Sequence, residues 1–337
     1  MAGARRTLGE LRFGVVSTEM IEDTLLHLAQ ENEQAVRTAA EWTGSFREAR
    51  IVEFVFLLCE QWGLEKSVSY QAVEILERST VKQVEAVCSP AVVPGASEKA
   101  DAQGWRTLTA QLSGRFLLRL MSCIQLASKL AFHYKIVSNV TILNFLQDLG
   151  SPYSKEELLE SELAVLKALN FQVNLPTPLA YVETLLEVLG YNGCLVPTNQ
   201  LHRTCMTLLD VVYLLHGPIY DSLLRTSIEN STPSRLQEAK FVSVKEDFML
   251  LAVGIIAAST FVHAQESWSQ VLGHLHGITG ISPESIAAFS YAILTHTVGT
   301  STPEKPRRPR GGAVAATATL SPQPDGPSLR GRVRLRD

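Results

Sequence analysis

Between Phe116 and Phe132 the chain reads FLLRLMSCIQLASKLAF, and between Phe248 and Val262 it reads FMLLAVGIIAASTFV. These 17 and 15 residues fall short of the roughly 20 that a bilayer demands, and the first holds Arg119, Gln125 and Lys129. Each therefore reads as a helix buried on all sides within a protein. A helix without a polar face needs neighbours all round it. Two such runs predict two helical bundles.

The rest of the chain agrees. Apolar residues recur at three and four positions, alternating runs are absent, and the fold class is all-α. In the first half the pattern predicts helices over about 18–38, 48–62, from after Ser67, 112–132, 139–148 and 155–169. Gly150 is a stop signal, and Ser154-Lys155-Glu156-Glu157 is a capping box. Between Ser89-Pro90 and Gly104 lie turn-forming residues and mixed charges, predicting a flexible insertion over about 81–111. Pro176, Thr177 and Pro178 break the chain, with Thr177 as cap and Pro178 in the first turn of a new helix.

The second half repeats the plan, with helices expected at about 178–189, 198–216, 244–263, 267–276 and 283–297. Ser243-Val244-Lys245-Glu246 resembles a second capping box, and Ser282-Pro283 a cap followed by proline. CIQLASKLAF at 123–132 overlays GIIAASTFVH at 254–263, with Ala127 on Ala258, Ser128 on Ser259 and Lys129 on Thr260. The expected architecture is two tandem five-helix units. The division is an N-terminal extension with one helix (1–46), a first unit (47–175), a second unit (176–299) and a disordered tail (300–337) rich in Pro, Gly, Ala and Arg.

Charge separates the tail from the body. Residues 301–337 hold eight Lys/Arg against three Asp/Glu, so with −4 overall the first 300 residues carry about −9. An acidic body argues against a nucleic-acid groove, which needs clustered cations. The runs KPRRPR at 305–310 and LRGRVRLR at 329–336 are where phosphate contact or nuclear import would reside, a solvated tail being the plainer reading. Cys59, Cys88, Cys123, Cys194 and Cys205 have no metal-finger spacing and read as small hydrophobes in a reducing compartment. MAGARRTLGELRF has no apolar signal core, and no membrane association is expected. G-x-x-x-x-G-K-[ST], H-E-x-x-H and G-x-S-x-G are missing. His274 and His276, two apart, point to different sides of a helix. No catalytic residue, metal or cofactor is expected.

Lys129 stands out. Leu118, Ser122, Gln125 and Lys129 form the least apolar stripe of their helix. If the halves are repeats, Thr260 at the matching place means the fold does not need a lysine. One reading is a lysine whose stem packs while its head reaches water. Another is a partner face. Glu162, on the otherwise apolar stripe of Leu158, Leu166 and Leu169, is a candidate counter-charge.

These residues resemble the cyclin family. LASK at 126–129 matches the third helix of a cyclin box, VSYQAVEILERS at 68–79 the second, and IVEFVFLLCEQWGL at 51–64 the first. ESELAVLKALNFQVNLPTPLAYV at 160–182 resembles the fifth helix and the link to a second box. The similarity is clear over about 48–185, and the second box rests on architecture. It is to a divergent branch associated with maturation of meiotic crossovers.

The resemblance implies a nuclear, non-enzymatic regulator. Its partners would be a cyclin-dependent kinase and meiotic recombination proteins. A cyclin holds the kinase's C-helix inward to complete a Lys–Glu pair. Lys129 and Glu162 fall on the family's gripping lysine and glutamate, and Leu118 on a contacting leucine. Ser122, Gln125 and Glu77 complete the expected partner-binding set. Several positions depart from the family. Glu77 replaces an aspartate, Ser79 a phenylalanine, and Glu48 an arginine. Ala131 and Phe132 stand in place of an acid pair. In the substrate-docking groove Phe54 takes the aromatic position, Leu57 replaces an acid and Arg50 an aliphatic residue, so that groove is not expected to work. A cyclin-shaped scaffold without kinase activation also fits. So does a resemblance of the double unit to the general transcription factor that bridges polymerase and promoter.

Overall fold

The computed structural model describes residues 13–88, 114–131, 136–193, 196–228 and 232–297, apart from the side chains of 87 and 88. The expected tail and most of the expected insertion lie outside them. The described residues form α-helices and one short 3-10 turn, with no strand among them.

An N-terminal helix α1 (Thr18–Arg37) precedes a first group: α2 (Ala49–Gln61), α3 (Lys66–Cys88), α4 (Phe116–Leu130), α5 (Asn139–Asp148) and α6 (Lys155–Ala168). A second group follows: α7 (Pro178–Tyr191), α8 (Thr198–Leu214), α9 (His216–Ser227), α10 (Arg235–Lys245), α11 (Phe248–His263), α12 (Trp268–Thr279) and α13 (Pro283–Thr297). In the first group α3 lies between α2 and α4, and α6 packs on both α3 and α4. In the second, α11 is surrounded by α7, α8, α12 and α13. The two apolar runs thus sit where their composition requires. Residues 120–128 of α4 and 251–260 of α11 are buried without a break. Burying a side chain such as Ile124 or Ile255 stabilises by roughly 1.5–3 kcal/mol. Gly254 lets α13 approach, since a Cβ there would meet Phe289 at 3.2 Å.

Local signals explain the helix ends. Ser154 accepts from the Glu157 amide while Glu157 reaches back to the Ser154 amide. Ser282 Oγ accepts from the Ser285 amide at 3.2 Å, and Gly150 takes a positive φ of 72° after α5. Thr177 makes no side-chain cap bond, so Pro178 alone marks the start of α7.

Three expectations need correction. Residues 81–88 continue α3 rather than beginning an insertion. The second group holds all five expected helices and two more, α9 and α10. Ser243 does not open a helix. Helix α10 ends at Lys245, Asp247 caps α11 by accepting from the Leu250 amide, and the second capping box is Ser234 with Gln237. Ser243 lies inside α10, its hydroxyl donating to Lys240 O, so it cannot stand as a cap.

Helix α8 joins the two groups, packing on α2 while its residues also meet α3. The Tyr70 and Tyr213 rings stack with centroids 5.0 Å apart, and Phe56 meets both edge-on. Tyr70 donates to Asp210 at 2.7 Å, and Lys66 pairs with the same carboxylate. Helix α1 lies on α7, α10 and α11, in the second group. Before it, one Glu187 oxygen accepts from the Val15 and Val16 amides at 2.7 and 2.6 Å. Gly14 has φ of 81°, and a Cβ there would lie 2.6 Å from the Gly190 carbonyl carbon. Both facts require glycine at position 14.

Candidate functional site

The last turn of α4 leaves the core. Residues 120–128 are buried and Lys129 is exposed. Helical side chains lean toward the N-terminus, so Lys129 folds back along α4 toward α6. Its Nζ lies 2.5 Å from Glu162 Oε1, with the lysine side chain 38% and the glutamate 13% exposed. The second oxygen, Glu162 Oε2, is buried without a hydrogen-bond partner.

The other polar residues of the stripe brace this pair from beneath. Ser122 Oγ is 2.9 Å from Ser161 Oγ, next to Glu162, and 3.1 Å from Leu118 O. Gln125 Nε2 donates to Val137 O at 3.1 Å and to Asn139 Oδ1 at 2.5 Å. Ser128 Oγ donates to Gln125 O and accepts from the Val137 amide. Together they anchor 136–139, where α5 begins, to the end of α4. Between these parts lies an open groove of about 470 Å³ bordered by Gln125, Lys129, Ile136, Asn139, Val140 and Lys155. Ile136 and Val140 are exposed on it, and Leu159 and Leu163 are exposed on α6 beside Glu162. The edge thus offers a charged pair flanked by apolar side chains.

Of the six residues singled out, Lys129 and Glu162 meet, and Ser122 and Gln125 adjoin them. Leu118, Ser122 and Gln125 have essentially no accessible surface. They shape the face and do not form it. Glu77 is elsewhere and buried. Its two oxygens accept from the Gly44 and Phe46 amides at 2.6 and 3.1 Å, fixing the loop before α2.

That loop delivers a residue the sequence reading passed over. Arg47 is buried and donates to Glu74 Oε2 at 2.7 Å and Glu246 Oε1 at 3.0 Å. Tyr213 donates to the other Glu74 oxygen at 2.9 Å, and His216 lies 3.5 Å from Arg47. Burial pushes the Glu77 carboxyl up to about 7, against the pull of Arg47 and with a push from Glu74. Burial raises Glu246 as well, and lowers His216 with help from Arg47 and Lys245. Burying an arginine this deeply favours the charged form only with carboxylates at hand. The signal was present: Glu74 and Glu77 stand three apart on α3 among Val73, Ile75 and Leu76. Arg78, next to Glu77, donates to Gln172 O at 3.0 Å and ties the segment after α6 to α3.

Cys59, Cys123 and Cys205 are buried free thiols, each pushed up to about 12 by burial. Cys88 and Cys194 lie outside the described side chains. His276 Nδ1 is 2.9 Å from Ile281 O, and no metal-binding cluster forms among the described residues. No described helix is long and apolar enough to cross a membrane.

No family model matches the chain. It is 71% identical over 294 residues to cyclin N-terminal domain-containing protein 1 of Mus musculus, covering 87% of this chain and 88% of the relative. It is 70% identical over 297 residues to the protein of that name in Homo sapiens, covering 88% and 90%.

Proposed function

The chain belongs to the cyclin-like family of cyclin N-terminal domain-containing protein 1, and from that membership we propose that it is a non-catalytic regulator that binds a cyclin-dependent kinase through the α4–α6 edge, in the nucleus, during meiotic crossover maturation. The observation that carries the reading is the Lys129–Glu162 pair. Its geometry suits a grip on a partner's backbone. The ammonium, on a side chain 38% exposed, presents donors to a partner, and Glu162 holds it in place at 2.5 Å. Ile136, Val140, Leu159 and Leu163 give a partner apolar surface beside the charges. Kinase activation would follow from holding the C-helix where its Lys–Glu pair forms.

A second reading keeps the face and drops the activation: a cyclin-shaped scaffold for recombination proteins. The surface of α2 favours it, since Arg50 and Leu57 are exposed where a substrate-recruiting cyclin would need an aliphatic residue and an acid. Co-purification with cyclin-dependent kinases separates the readings. Loss of binding in folded Lys129→Ala and Glu162→Ala supports the grip, and binding unaffected by both removes it. Kinase bound without gain of activity selects the scaffold. Direct nucleic-acid binding is confined to the tail in this reading. Truncation after residue 300 should abolish any salt-dependent DNA binding.

A further inference from the structure

Four Ser/Thr-Pro pairs lie among the described residues, at Ser151, Thr177, Thr232 and Ser282. Three are poor acceptors for a kinase. Thr177 is buried. Ser151 is half-buried, and Ser154 stands at its third following position. Ser282 is exposed, but its hydroxyl is committed to Ser285, accepting from the amide and donating to Oγ at 3.0 Å. Thr232 differs in each respect. It is exposed, no described hydrogen bond holds its hydroxyl, and Arg235 stands three residues on.

The backbone suits the role. A residue before proline is pushed to extended conformations, as a peptide in a kinase cleft must be. Ser234 continues extended, with φ −79° and ψ 156°, before α10 begins. Pro233 and Arg235 border a groove of about 630 Å³ with Arg225, Lys245, Glu41 and Asp221 among its walls. Among the described residues Arg225, Arg235 and Lys245 make no ion pair, so Arg235 is free to meet an acidic kinase pocket.

We propose that Thr232 is the phosphoacceptor of a proline-directed kinase that also selects a cation at the third following position. Thr232 Oγ1 attacks the γ-phosphorus of ATP, the bond to the leaving ADP oxygen breaks, and the hydroxyl proton passes to the kinase's catalytic carboxylate. The product carries about −1.5 to −2 charges at neutral pH. It places them next to Pro233, on the border of a groove also lined by Arg225, Arg235, Lys245, Glu41, Asp221 and Glu238.

The site does not depend on the α4–α6 edge, because the kinase can be supplied in trans. The full chain is incubated with ATP and a cyclin-dependent kinase already activated by another cyclin, and phosphates are localised by mass spectrometry. Thr302-Pro303-Glu304-Lys305 has the same pattern and serves as internal reference. The expected result is phosphate on Thr232 in the wild type. Arg235→Ala should slow incorporation at Thr232 about tenfold or more, the worth of one charge-assisted contact, and leave Thr302 unchanged. Phosphate on Thr302 without Thr232, on neither residue, or at an equal rate at Thr232 in Arg235→Ala overturns the proposal. Lys129→Ala should be phosphorylated like the wild type, which keeps this result separate from the fate of the docking face.

Discussion

Arg47 and Glu246 are 199 positions apart in the chain, yet the guanidinium and the carboxylate meet at 3.0 Å, joining the loop before α2 to the end of α10. Glu74 takes the same Nη2 at 2.7 Å. One arginine therefore ties both groups of helices at a site shielded from water.

Removing Arg47 should be costly. Arg47→Ala leaves Glu74 and Glu246 buried without their counter-charge, and such losses run to about 3–5 kcal/mol. Arg47→Lys should rescue little, because a single ammonium does not reproduce the planar fork. Urea denaturation of the three proteins checks both statements.

The Glu77 carboxyl gives a pH dependence of unusual sign. Burial lifts it from 4.5 to about 7. The unfolded chain releases that proton near 4.5 and the folded chain near 7, so between them the folded state binds more protons. The group's contribution to stability is then present at low pH and lost as pH rises through about 7. His216, held neutral, works in the opposite direction, so the comparison must be with Glu77→Gln. Wild-type stability minus that of Glu77→Gln should fall between pH about 5 and 7.5, by at most about 3 kcal/mol. A difference that grows with pH would refute the assignment.

Lys129 and its brace should separate. Lys129→Ala removes a partly exposed ion pair, worth about 0–1 kcal/mol to folding, yet it should weaken partner binding by the roughly 2–5 kcal/mol of a charge pair broken at an interface. Gln125→Ala strips buried Val137 O and Asn139 Oδ1 of a donor, and should cost about 1–3 kcal/mol of stability. Thermal unfolding alongside a binding titration distinguishes the two.

Glu187 should govern the N-terminal segment. Its carboxylate receives two amides, each such bond being worth about 1.5–3 kcal/mol. Glu187→Ala should speed hydrogen exchange at Val15 and Val16, leaving the α11 core protected. Gly14→Val should give the same result by collision with Gly190.

Much of this was legible in the sequence wherever a local signal had no competitor. The apolar runs, the capping box at Ser154 and the stop at Gly150 all depend on neighbours within a turn. The Lys129–Glu162 pair was legible because Lys129 ended the one polar stripe of an apolar helix and Glu162 interrupted an apolar stripe. Helix α10 was not, because only Phe241 of its residues is buried and its periodicity is faint. The pattern at Ser243 misled because α10 runs through it, and a residue inside one helix cannot cap the next. Leu118, Ser122 and Gln125, expected on a partner face, are buried instead. What covers them, α6 and the start of α5, is tertiary information that spacing does not carry.

Thr260 is fully buried and Lys129 is exposed, although the two occupy matching places in matching helices. One copy has committed its whole helix to architecture. The other leaves its last turn outside. Changes at that turn are therefore cheap for folding, whereas the same changes at Thr260 would disturb the core. The last turn of α4 is a place where a side chain can change without the shape of the protein being put at risk.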